Sequence, residues 1–596
     1  MQNPPAFERH NLYILPEKFF IEPRDRDGGL ASSKYIEIDR ISGNIRIRDQ
    51  NEERIRMAEA EIRVIFGVIG TVQLVAGPVL IVITRARQVG NLLGQQIWQM
   101  EAAEVFSYRR TTAHLTEKQA WYERHFQELL ALVLSSPGFY FGYNIDLTRS
   151  LQWLNENSTE AFRELSLIER ADPRFVWNGY LLEQLRSIKE AAPFCLPLVH
   201  GFFGSQRVNI GGQAIWLTLI SRRSIHSAGV RFYRRGVNID GHPANFVESE
   251  QIVQPAGAPT AYSSFVELRG SIPLIWSQRP NLRWQPCPLL KPADDQLMAY
   301  VKHFQRQHDI YNGQKQVIVN LVNQKGREKK VGGELERVAL QANLGYVRYH
   351  AFDFHRECGA MQWERLSILR EQLSKEIEEF GFFTSSATNP AANRVQKGLF
   401  RSNCMDCLDR TNVVQSMLAR TVLPAQLFSL GIINSPSFEV QHNVELEAAF
   451  KNLWADNGDQ CSKQYAGTGA LKSDYTRLGR RTYMGAVNDG VNSITRYFRN
   501  NFADGQRQDA IDLFLGNFRV ESTNLPVSIE ASLFSLNQQG IALLAAAVAM
   551  SMTVLCILVA ENASATLFWM FVFCLCMAFI VLNGEDFVNT PKLKKD

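Results

Sequence analysis

Cysteine is scarce in this chain. Nine cysteines are scattered at irregular spacing through 596 residues, which excludes a disulfide framework and fits reduced cytosolic thiols. Apart from Cys404 and Cys407 there is no second C-x-x-C or Cys/His pair at a zinc-site spacing, so no metal is expected. An excess of one charge is also missing. With 64 basic and 60 acidic residues the net charge is only +4, which argues against bulk nucleic-acid binding. The N-terminus lacks a basic stretch followed by an apolar one, so no cleaved signal peptide is expected. Gln2 stands where a myristoylation signal requires glycine. There is no internal repeat and no heptad run. The segment GTGALKS, Gly467 to Ser473, has Leu471 where a nucleotide-binding loop needs a glycine before its lysine.

Long apolar runs are present, at the C-terminal end. Ile541 to Ala560 carries no charge, and as a helix it would rise about 30 Å, one hydrocarbon core. After the polar stretch Glu561 to Thr566, Leu567 to Leu582 is again apolar. Neither run has a polar face, so two membrane spans are expected, 541–560 and 566–583, with a short luminal loop 561–565. Together they form a hairpin over 540–583. The loop has no Lys or Arg, whereas the tail 584–596 carries Lys592, Lys594 and Lys595. That asymmetry predicts a cytosolic tail and a cytosolic N-terminal part. Asn562-Ala563-Ser564 is then a luminal glycosylation sequon close to the bilayer. Lys592 and Lys594, fifth and third from the end, resemble the dilysine signal by which coatomer returns membrane proteins to the endoplasmic reticulum. The expected location is the endoplasmic reticulum membrane, cycling to the Golgi.

At 45% hydrophobic residues, the remainder can bury more than one core. Val64 to Val75 and Val79 to Thr84 are β-rich runs around the turn signal Ala76-Gly77-Pro78. Glu117 to Leu134 has helical spacing. Further strands are expected at Ile215 to Ile220, Val317 to Val322 and Gly345 to Phe354, and helices at Leu335 to Ala342 and Trp363 to Phe380. This alternation predicts an α/β fold. Thr384 to Gln396 reads as a loop. The expected division is a mixed α+β N-terminal part (1–170), an α/β domain (171–519) and a linker (520–539), whose twenty residues span at most roughly 70 Å.

The chemistry concentrates in RSNCMDCLDRT, Arg401 to Thr411. A strand-like run leads in and a helix-like one follows, the layout of a phosphate loop with a cysteine nucleophile. Backbone N–H groups and the helix N-terminus favour the Cys404 thiolate, and the Arg410 fork can hold two phosphate oxygens. Met405, Cys407, Leu408, Thr411 and Asn412 complete the expected phosphate-binding loop. The thiolate would attack phosphorus in line, form a cysteinyl-phosphate and be released by water, with no metal or cofactor. The leaving alkoxide needs a proton. Of the loop carboxyls, Asp406 is favoured as the acid and Asp409 as a brace; Asp353, His355 and Asp456 are external candidates. A thiolate beside the Cys407 thiol is also the setting for a reversible disulfide. The basic runs Arg222-Arg223, Arg231 to Arg235 and Arg480-Arg481 could jointly line a cationic cleft for a lipid headgroup.

These residues resemble the Sac-domain phosphoinositide phosphatases, specifically the membrane-anchored type of the endoplasmic reticulum and Golgi. The likeness extends to FVWNGYLL (Phe175 to Leu182), RGSIPLIWSQRPNL (Arg269 to Leu282), AFDFHRECGAMQWERL (Ala351 to Leu366) and WADNGDQCSKQYAGTGALKSDYTR (Trp454 to Arg477). The resemblance implies a Sac subdomain packed on a cysteine-loop phosphatase domain, with Cys404 as nucleophile and Arg410 as phosphate binder. It implies removal of the 4-phosphate from phosphatidylinositol 4-phosphate, with some action on the 3-phosphate lipid. The related myotubularins also carry Asp at the second and fifth loop positions, which favours Asp406 by analogy. Two other readings share these residues: an anchored protein tyrosine phosphatase and a non-catalytic lipid-binding adaptor.

Overall fold

The computed structural model describes residues 5–50, 60–359, 362–387, 390–521, 538–559 and 563–593. Most of the linker, the loop between the apolar helices, and Lys594 lie outside the described residues. The first strands form an antiparallel five-stranded sheet, from Arg9–Ile14 to Glu61–Ile65. A twelve-stranded mixed sheet follows and runs without a break from the strand Gly67–Gln73 to the strand Val347–Ala351. The β-rich run at 64–75 is split at Phe66 between the two sheets, and Pro78–Leu92 extends well past Thr84.

Near its parallel end the sheet orders Val347–Ala351, Lys315–Asn320, Gly398–Asn403 and Ala261–Arg269 side by side. Side chains of Lys315–Asn320 alternate between faces with a period of two. Val317 and Val319 join the core beneath the helices Asp409–Ser429 and Val444–Ala466. Ile318 joins the opposite core, with Tyr300, Phe304, Leu335 and Val338 from the helices Ala293–Ile310 and Glu328–Ala342. Gly398–Asn403 is buried throughout. The two terminal nitrogens of its Arg401 donate to the carbonyls of Gly270 and Ser271, at 3.2 and 2.6 Å.

The helix Glu117–Leu134 matches its expected bounds, because Thr116 and Gln119 cap it reciprocally and Tyr122, Phe126, Leu129, Leu130 and Val133 share one buried face. Trp363 to Phe380 is not one helix. It breaks at Leu373 into Leu366–Gln372 and Ser374–Phe380. The expected loop from Thr384 to Gln396 begins inside a strand, Phe383–Ser386, which pairs with Ala261–Arg269.

The helices Gln538–Val559 and Ala563–Leu582 pack on each other as a hairpin, and both are long and apolar enough to cross a membrane. After the second, the chain returns to the main body. The Lys592 and Leu593 N–H groups donate to the Asp509 carboxylate at 2.9–3.0 Å, and the Leu593 side chain is buried in the core that holds Tyr122 and Phe126.

Candidate active site

Cys404 directly follows the buried strand Gly398–Asn403, and the helix Asp409–Ser429 starts five residues later. The turn between them is tight. Cys407 adopts φ 52°, a left-handed conformation costing a non-glycine residue roughly 1–2 kcal/mol. That turn aims the Cys407 N–H at the Cys404 Sγ, 3.0 Å away. Thr411 Oγ1 lies 3.4 Å from the same sulfur and donates to it. Hydrogen bonding from Cys407, then the Arg410 charge and the Thr411 hydroxyl, outweigh burial and bring the Cys404 pKa down to about 6. The sulfur is therefore mainly thiolate at pH 7. Burial, reinforced by Cys404, pushes the Cys407 thiol the other way, and it donates to the Gly270 carbonyl at 2.8 Å.

The end of the Arg410 fork is held by Glu328, which accepts from both terminal nitrogens at 2.9 Å. Nη1 also donates to the Leu321 carbonyl at 3.1 Å. This grip fixes the guanidinium plane and leaves Nε without a partner among the described residues. Glu328 opens the helix Glu328–Ala342 and also accepts from the Asn323 N–H at 2.8 Å. Glu328→Gln keeps the shape and loses the charge that positions Arg410. It is expected to lower kcat/KM by about a hundred-fold, read by steady-state kinetics, with thermal unfolding measured alongside to check that the variant is folded.

The two loop carboxyls lie in opposite environments. Asp406 is clamped by Arg231 at 2.5 Å and Arg235 at 2.6 Å. Burial alone would raise its pKa, but these two guanidiniums outweigh it and hold the carboxyl well below the usual carboxylate range. A carboxylate so held has no proton to give, so the expectation that Asp406 is the acid does not fit the geometry. Asp409 behaves differently. Burial raises its pKa and the Asp406 charge adds to this, against the pull of Arg496 and the Leu471 N–H. Leu471 donates at 2.9 Å and Arg496 lies 3.6 Å away. The Asp409 side chain keeps 30% exposure, so it can exchange protons with solvent.

Other expected residues take structural positions. The Met405 carbonyl accepts from Arg235 at 2.7 Å, and Leu408 packs with Tyr465 and Ala466. Asn412 is a brace rather than a phosphate contact: it donates to the Trp454 carbonyl at 2.8 Å and accepts from Asn457 at 3.0 Å. Asp353 caps the short helix Phe354–Glu357 and holds the Gln324 N–H at 3.0 Å. His355 is exposed, and Asp456 pairs with Arg477 at 2.6 Å. The basic runs do not form one cleft. Arg222 is buried against Glu248 and Glu250, and Arg481 pairs with Asp474 and Asp489. Of the three runs, the one that touches the loop is Arg231 to Arg235. Sequence reasoning noticed that run but not its carboxylate partner, and it missed Glu328, Arg496 and the role of the Leu471 N–H.

Comparison with known proteins bears on the whole chain. A SacI homology domain matches residues 66–359. The chain is 45% identical to phosphatidylinositol-3-phosphatase SAC1-A of Danio rerio, covering 99% of this chain and 98% of that one. It is 37% identical to phosphoinositide phosphatase SAC7 of Arabidopsis thaliana, over 98% of each chain. It is 36% identical to phosphatidylinositol-3-phosphatase SAC1 of Saccharomyces cerevisiae, over 90% of this chain and 86% of that one. The cysteine loop described above thus sits in a chain that, by identity over nearly its full length, belongs to the Sac-domain phosphoinositide phosphatase family.

Proposed function

We propose that this chain is a membrane-anchored phosphatase that removes the 4-phosphate of phosphatidylinositol 4-phosphate, and more slowly the 3-phosphate of its isomer. The observation that carries the reading is a thiolate-favouring Cys404, pKa about 6, beside a positioned Arg410. The thiolate attacks phosphorus while the bond to the inositol oxygen breaks. Asp409 gives its proton to the departing oxygen. Arg410 and the loop N–H groups take up the charge of the equatorial oxygens. Asp409, now a carboxylate, removes a proton from water, which displaces the cysteine and frees phosphate. Asp406 stays ionised and keeps Arg231 and Arg235 fixed against the loop.

Family membership supports a phosphoinositide substrate, and the Danio rerio and yeast relatives are named for the 3-phosphate lipid. The two apolar helices support an anchor, and the return of the tail to the main body supports placing both on one side of the membrane. We read that side as cytosolic and the membrane as endoplasmic reticulum cycling to the Golgi, through coatomer binding at Lys592 and Lys594. Lys592 has its N–H on Asp509, so a receptor reads this signal after the tail lifts.

Phosphate release by the full chain in liposomes, measured for each monophosphorylated phosphatidylinositol, tests the substrate. The 4-phosphate isomer is expected to be fastest and the 3-phosphate slower, with no release from a phosphotyrosyl peptide. Preference for the 3-phosphate isomer would overturn the assignment of position, and efficient peptide hydrolysis would overturn the lipid reading.

A further inference from the structure

The helix Tyr483–Phe502 is built inside out. Its polar face is turned to the protein: Arg496 is buried and donates to Thr468, Ser462 and the Gly469 carbonyl at 2.7–2.8 Å, and Asn500 and Asn501 are buried beside it. Its apolar face is turned outward. Met484, Val487, Val491, Ile494, Phe498 and Phe502 recur every three or four residues, a single stripe on a helix. Each is between 42% and 66% exposed. A continuous apolar stripe of this length left facing water marks a surface that something else covers.

The surroundings of the stripe identify what covers it. Trp284, 60% exposed, stacks on Tyr497 with centroids 5.4 Å apart, and tryptophan is enriched where protein meets the headgroup layer. Arg279, Arg283 and Arg499 are exposed around it and suit anionic headgroups. The second apolar helix ends at Leu582, and Gly584 packs directly on the Asn281 carbonyl. The next residue, Leu282, donates to Asn501 at 3.1 Å and accepts from the Tyr497 hydroxyl at 2.7 Å. Asn589 donates to the Asn501 carbonyl at 2.6 Å. The end of the second apolar helix and the end of the stripe are therefore joined through one loop.

We propose that the helix Tyr483–Phe502 is a second, interfacial membrane site that lies in the headgroup layer of the membrane holding the hairpin. The lipid surface is its occupant. The same helix carries Arg496, the neighbour of Asp409, on its protein face, so docking orients the cysteine loop relative to that surface. The proposal rests on the hairpin being a membrane anchor and is independent of the phosphatase chemistry.

Its test is photocrosslinking of the full chain in phosphatidylcholine–phosphatidylserine liposomes, with a benzophenone amino acid placed singly at Ile494, Phe498, Phe571 or Leu340. Phe571 lies in the second apolar helix and Leu340 is exposed on the helix Glu328–Ala342. Lipid adducts are expected at Ile494, Phe498 and Phe571 and none at Leu340. Adducts at Phe571 without adducts at Ile494 and Phe498 would overturn the docking site. A protein–protein crosslink at those two positions would do so as well, by showing that a second copy covers the stripe. Absence of adducts at Phe571 would overturn the anchor reading itself.

Discussion

Replacing Cys404 by serine is expected to lower kcat/KM by on the order of a million-fold, the scale of losing a nucleophile that works with its whole constellation. The two side chains are nearly the same size, so the buried loop keeps its shape. The donors that now point at sulfur, the Cys407 N–H and Thr411 Oγ1, stabilise a thiolate with a pKa of about 6. They cannot ionise a serine hydroxyl at neutral pH, so the in-line attack has no nucleophile. Phosphate release from liposomes is the measurement, and binding of the variant to substrate-containing vesicles checks its fold. Substantial turnover by the serine variant would remove Cys404 from the mechanism.

Changing Asp409 to asparagine is expected to cost between about a hundred-fold and ten-thousand-fold on a phosphoinositide, the range of a positioned general acid. The loss is expected to be much smaller on an aryl phosphate, whose leaving group departs without a proton. The pH profile gives an independent reading. The Cys404 pKa lies below that of an ordinary thiol, so activity rises as pH increases through about 6 and the thiolate forms. The Asp409 pKa is raised, so its proton persists to higher pH than an ordinary carboxylic acid, and activity falls as that proton leaves. The asparagine variant keeps the rise and loses the fall. The corresponding Asp406 variant would instead free Arg231 and Arg235 and is expected to disturb the loop without removing the falling limb. If the falling limb disappears with Asp406 rather than Asp409, the two roles are reversed.

The cysteine loop was readable in the sequence because its chemistry is local. Nucleophile, arginine and hydroxyl fall within eight residues, Cys404 to Thr411, between a strand and a helix that each announce themselves by pattern. The division of labour between its two aspartates was not readable. Arg235 stands 171 residues before Asp406 and Arg231 stands 175 before it, and only the fold brings them together. Glu328 is 82 residues from Arg410 and Leu471 is 62 from Asp409, and neither residue type suggests such a role by itself. The segment Gly467 to Ser473, dismissed as a nucleotide loop, instead supplies a backbone N–H to the candidate acid. The parallel strands at one end of the sheet were legible as short apolar runs. The helix Glu328–Ala342 began earlier than expected, because Gly332 and Gly333 masked its first turns; Gly332 sits where a Cβ would meet Val322. In Tyr483–Phe502 the helical spacing is plain, but periodicity cannot say whether an apolar face meets a core or a membrane.

The central claim is that phosphate passes through Cys404. The Asp409→Asn variant, mixed with an aryl phosphate and quenched in acid within the first turnover, tests it most directly, because departure of the aryl group is fast and hydrolysis of the intermediate lacks its base. Peptide mass spectrometry is expected to find one phosphate on the peptide carrying Cys404, in step with the burst of released aryl alcohol. A burst with the phosphate on another residue, or a phosphate-free peptide with no burst, would contradict the account.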